Sequence, residues 1–150
     1  MNQSSGNHSR IFLMELIVAI LFFSLASAIC LRMFAASRQM SKDTTELNMA
    51  MNQAGNAAEL LKYAVSESEA FPDYISSQYP YSIADTMDIA VYFDENWNHC
   101  TYQNAVYYMQ IAQESEENGI IPCQIAVWDT TDSEAALYSL ELKLHAPIQP

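Results

Sequence analysis

Residues 11–31 read IFLMELIVAILFFSLASAICL, an apolar run broken by one charged side chain, Glu15. At about 1.5 Å of rise per residue, a helix of that length spans about 30 Å, the thickness of a bilayer's hydrocarbon core. Such a segment is a membrane-spanning helix or a secretory signal, and residues 1–10 before it form a short polar leader. Three fates compete for it. Cleavage as a signal peptide would use the small residues Ala26, Ser27 and Ala28, but only Arg10 and the α-amine supply positive charge and the apolar stretch is long for a signal. Lipid attachment to Cys30 would need a small residue where Ile29 stands. A retained transmembrane anchor over residues 11–31 fits best, with membrane lipid as its partner.

The remainder of the chain has a different character. From Pro72 onward there are 12 acidic side chains and one basic, Lys143, within a whole-chain net charge of -12. A surface this negative repels phosphate backbones, so no direct nucleic-acid binding is expected from the C-terminal half. Three glycines, with neither GxGxxG nor a P-loop pattern among them, leave no glycine-rich nucleotide cradle. The basic residues near the anchor are Arg10 on one side and Arg32, Arg38 and Lys42 on the other, so a bare positive-inside count favours a cytoplasmic C-terminus. The acidic, aromatic-rich C-terminal half and its two cysteines point the opposite way, and residues 72–150 are assigned to an extracytoplasmic head on a single-pass anchor.

Glu15 lies about 6 Å of helix rise inside the apolar edge. An ionised carboxylate is expensive in a bilayer, so it snorkels to the headgroups, sits protonated, or pairs with a cation on a neighbouring subunit. Phe12-Leu13-Met14-Glu15-Leu16 followed by IVAILFFSLASA resembles the N-terminal signature of type IV pilins and pseudopilins. In that family a short polar leader precedes an apolar helix whose fifth residue is Glu, and the helix continues out of the membrane as the spine of a globular head. With Ile11 as the first residue of the mature helix, Glu15 takes that position. The resemblance implies processing between Arg10 and Ile11 and assembly with other pilin-like subunits through Phe12, Glu15 and Leu16. The family's leader ends in Gly, whereas Ser9 and Arg10 precede Ile11 here, which implies an uncleaved minor component, an initiator or a degenerate relative.

Beyond the membrane, Met33, Met40, Leu47, Ala54 and Leu61 recur with Ser37, Thr44, Met51, Ala58 and Val65, at the spacings of one helical face. No proline occurs before Pro72, so residues 32–71 are expected to continue the same helix as a stalk, with Gly55-Asn56 as a weak point and Phe71-Pro72 as its end. Residues 73–86 are expected to be an aromatic-rich loop. Four segments then carry strand character, 88–93, 105–112, 123–128 and 137–144, joined by turn-forming clusters that include Asn118-Gly119. The expected fold class is α+β: a long N-terminal helix, transmembrane then stalk, packed on a four-stranded antiparallel meander, with Leu60, Leu61 and Val65 as the cover.

Little suggests catalysis, and no cofactor is expected. Cys100 and Cys123 are a candidate disulfide closing a loop of about 24 residues. His99, Cys100 and Cys123 lack the spacing of a zinc site. Asp129, Asp132 and Glu134 form a weak calcium candidate, consistent with the calcium that some pseudopilin heads bind. The expected role is that of a minor structural subunit of a type II secretion, type IV pilus or DNA-uptake assembly. The rival is a stand-alone anchored or secreted binding module that recognises a ligand through exposed Tyr79, Tyr81, Trp97 and Tyr102.

Overall fold

The computed structural model describes residues 5–67, 71–131 and 134–146, with side chains from residue 9 onward. The chain divides into two units, Met1–Thr44 and Thr45–Pro150. Helix α1, Ser5–Ser66, supplies all described residues of the first unit and the opening segment of the second. It runs helically through Gly55, so the expected weak point is not a break; a Cβ there would meet nothing within 4 Å.

In the first unit every described side chain is exposed, from the leader to Thr44. The apolar segment of α1 is long and apolar enough to cross a membrane, and none of it is buried against protein. Its two serines are compatible with an apolar solvent, because Ser24 and Ser27 donate to the carbonyls of Ile20 and Phe23 one turn back, at 2.8 and 2.9 Å.

The second unit is α+β, with the C-terminal part of α1 packed on an open five-stranded antiparallel sheet in sequential order. The strands are β1 Ile83–Ala84, β2 Asp88–Phe93, β3 Tyr107–Gln113, β4 Ile120–Asp129 and β5 Tyr138–His145. Alternation decides which face is covered: Ile89, Val91 and Phe93, Met109 and Ile111, and Ile125 and Val127 are all fully buried. The helix joins their core cluster mainly through small residues, Ala50, Ala54, Ala57 and Ala58, and among the described residues of the helix Leu61 is the one large side chain that is fully buried. Leu61 supplies the bulk on this face that the alanines lack. Leu60 and Val65 pack at the margin, half-buried.

Two expectations about the connection from helix to sheet require correction. Helix α1 ends at Ser66 instead of Phe71, and Phe71–Gln78 forms a second helix, α2. Pro72 does not stop a helix here but starts one: in the first turn its missing N–H has no carbonyl to reach, and Asp73 beside it favours the positive end of the helix dipole. Phe71 and Ile75 of α2 are buried in the core. The fifth strand, β1, is the second correction: two exposed residues pair with Ala90 and Ile89.

Turn chemistry fixes the ladder. Asn118 and Gly119 adopt φ 54° and 77°, flanked by reciprocal hydrogen bonds between Glu117 and Ile120 at 2.9 and 3.0 Å, the two-residue hairpin in which both central residues need positive φ. Pairing therefore begins at Ile120, earlier than the expected Cys123. Pro122 is tolerated inside β4 because its carbonyl, and hence its missing N–H, faces Glu114, one residue beyond the end of β3.

Candidate functional site

The expected assembly residues lie in the first unit. Arg10, Ile11, Met14, Glu15 and Val18 share one face of α1 around a shallow recess, and Phe12 and Leu16 are exposed beside them. Among the described residues Glu15 has no ion-pair or hydrogen-bond partner, and it stands exposed on a mostly apolar surface with Arg10 at its edge. Further along, Arg38 stacks over Phe34 at 5.3 Å and Gln39 donates to Asp43 at 2.8 Å, while Met33 and Met40 remain exposed.

In the head the cysteine expectation is corrected. Both thiols are free, and the register explains why. The amide of Cys100 donates to the carbonyl of Tyr92, whose partner across the ladder is Tyr108, whereas Cys123 pairs with Gln113. Five residues of strand separate those positions, about 17 Å, far beyond the reach of a disulfide. Cys123 is buried, and desolvation pushes its thiol up to about 11. Of the calcium candidates, Asp132 lies outside the described residues. Asp129 turns inward on its own loop, its Oδ1 accepting from both the amide and the hydroxyl of Thr131 at 2.7 Å. No cluster of three or more metal-ligating side chains occurs among the described residues.

The four aromatics assigned to a ligand surface divide. Tyr81 and Tyr102 are exposed, but Tyr79 and Trp97 are only 5% and 9% exposed and belong to the core. Asp94 accounts for Trp97: its carboxylate accepts from the amides of Asn96 and Asn98 at 2.8 and 2.9 Å and is held below the usual carboxylate range, first by the Asn98 bond. That turn puts Trp97 at φ 62° and lays its ring on Tyr107, centroids 4.2 Å apart. Tyr107 in turn donates to Oε1 of Glu46 at 2.8 Å, tying the sheet to the helix. Tyr79 packs edge-on to His99 with its hydroxyl unpartnered among the described residues, and burial pushes that phenol up to about 12.

A different aromatic set faces away from the helix. Tyr92, Tyr108 and Trp128 occupy successive strands in one cross-strand row, the rings of Tyr108 and Trp128 stacked at 5.0 Å. Tyr102 closes edge-on against Tyr92 at 5.5 Å. Beneath the row Ala126 is 4% exposed although it faces outward. Beside Tyr92 and Tyr108 runs a groove of about 300 Å³, also lined by Asp85, Asp88, Ala90 and Gln110. The signal was present in the sequence: the outward positions of DIAVYF, AVYYMQIA and CQIAVW carry aromatics where alternation calls for polar residues.

No known protein family, curated protein or solved structure matches the chain.

Proposed function

We propose that the chain is a membrane-anchored, pilin-like minor structural subunit of a type II secretion, type IV pilus or DNA-uptake assembly. Its head lies on the extracytoplasmic side. One observation carries this reading: the exposed apolar segment of α1 holds a single acid, Glu15, near its start, with no partner among the described residues, and the same helix ends packed on an antiparallel sheet. A plain anchor needs no carboxylate, and an ionised one in lipid is unfavourable, a cost that a neighbour's counter-charge offsets. Side-by-side packing of such helices gives Glu15 that neighbour and sets the register between subunits, with Phe12 and Leu16 flanking the contact. The role is mechanical: lipid stores the subunit, the exposed Met33 and Met40 face sibling helices, and the acidic head points outward. The three basic residues after the apolar segment oppose this orientation by count, so the extracytoplasmic placement of the head rests on the pilin-like reading.

The test is Glu15→Ala in the native host. Membrane extraction should be unchanged and co-purification with pilin-like partners lost. Co-purification at the wild-type level contradicts assembly through this residue.

A further inference from the structure

We propose that the outward groove beside Tyr92 and Tyr108 is a docking site for a basic peptide segment. An arginine side chain lies against the tyrosine rings with its guanidinium toward the carboxylates of Asp85 and Asp88. The inference is independent of the pilin-like reading, because it concerns a face of the sheet that neither the core nor the apolar helix uses.

Three observations carry it. The row Tyr102, Tyr92, Tyr108 and Trp128 is assembled by strand register on the face opposite the core, where these rings are not needed to cover the helix side. The groove beside the row has aromatic walls and two carboxylates, and neither Asp85 nor Asp88 has an ion-pair partner among the described residues. The amide of Thr86 donates to Oδ1 of Asp85 at 2.7 Å, which fixes that carboxylate and leaves its second oxygen available. Charge then selects the occupant. With 12 acidic side chains against Lys143 alone from Pro72 onward, the head attracts cationic segments and repels anionic ligands such as acidic lipid headgroups and nucleic acids. Aromatic faces favour a cation by their quadrupole, and the planar guanidinium both stacks on a ring and bridges carboxylate oxygens, which an ammonium does not.

The experiment uses the full chain in detergent micelles. The probe is a nine-residue peptide of alternating Arg and Gly, acetylated and amidated, with a fluorescent label read by anisotropy. The control peptide carries citrulline, a neutral isostere, in place of Arg. The arginine peptide should bind and the citrulline peptide should not. The double change Asp85→Asn with Asp88→Asn should weaken binding about tenfold, and Tyr108→Ala about fivefold. Glu95→Gln with Glu116→Gln removes the same charge from two exposed turns outside the groove and should change binding less than about twofold. Because Tyr108→Ala also removes the stack on Trp128, the aspartate pair decides the matter if that variant is unstable. Equal weakening by both double variants means that only the long-range field binds the peptide, and it overturns the proposal. Equal binding of the citrulline peptide, or no binding of the arginine peptide, overturns it as well.

Discussion

Leu61→Ala tests how the helix is seated on the sheet. Leu61 is 1% exposed and, among the described residues of α1, is the only large side chain that is fully buried, while the small buried residues Ala54, Ala57, Ala58 and Ala64 near it have no carbons with which to fill a void. The substitution removes three carbons, worth about 0.8 kcal/mol each in transfer, and leaves a cavity that adds about 1 kcal/mol, so the loss should be about 3.5 kcal/mol. For a unit of this size that corresponds to a fall in Tm of about 14 °C. The assay is urea unfolding of the full chain in micelles in a Trp128→Phe background, followed by the fluorescence of Trp97, whose ring is stacked on Tyr107 in the same core. Met51→Ala, at a position 45% exposed on the same helix, is the control and should stay within about 0.5 kcal/mol of wild type. A loss below about 1 kcal/mol for Leu61→Ala would refute the packing described here, because a residue so enclosed cannot be truncated at that cost unless the helix is seated elsewhere.

Other outcomes follow from the same structure. Tyr79, raised to about 12 by burial, is favoured in its neutral form in the fold; its contribution is complete below the unfolded value near 10 and is lost as pH rises from 10 to 12. Stability should therefore fall by about 2 kcal/mol over that window, and Tyr79→Phe should reduce the fall, as read by urea midpoints at pH 9 and 11.5. Gly119→Ala forces a side chain into φ 77° at the β3–β4 hairpin and should cost about 1 kcal/mol; no measurable change would mean that the turn is not of the type described. Non-reducing maleimide labelling of denatured protein should modify Cys30, Cys100 and Cys123 alike, whereas labelling of Cys30 alone would reveal the disulfide that the strand register forbids. In the folded protein Cys123 should react slowest, being buried with its thiol at about 11.

What the sequence disclosed, and what it hid, follows from the range of the interactions involved. The apolar segment, the long helix and the four larger strands are written in local periodicity, and the alternation of Tyr138, Leu140, Leu142 and Leu144 against Ser139, Glu141 and Lys143 recurs in the half-buried and exposed faces of β5. Strand β1 escaped because two exposed residues have no period to detect. Helix α2 escaped because Pro72 marks an end and a beginning equally well, and only the placement of Ile75 in the core decides between them. Trp97, flanked by Asn96 and Asn98, has the local signature of a solvent-facing turn; the bonds to Asp94 that shape that turn are themselves local, and only the stack of Trp97 on Tyr107 of the next strand shows that the ring belongs to the core. The outward aromatic row is the clearest case, since Tyr92, Tyr108 and Trp128 are 16 and 20 residues apart in sequence and become neighbours only through register. The face around Glu15 was legible directly, as a single acid in an apolar helix needs no long-range contact to be noticed.

The central claim, that residues 11–31 remain part of the working protein as an anchor, is tested most directly by the intact mass of the native chain extracted from membranes. The account predicts an N-terminus at or before Ile11: Ile11 itself after pilin-type processing, or Met1 or Asn2 if the leader is kept. A mature chain that starts at Ile29 would contradict it.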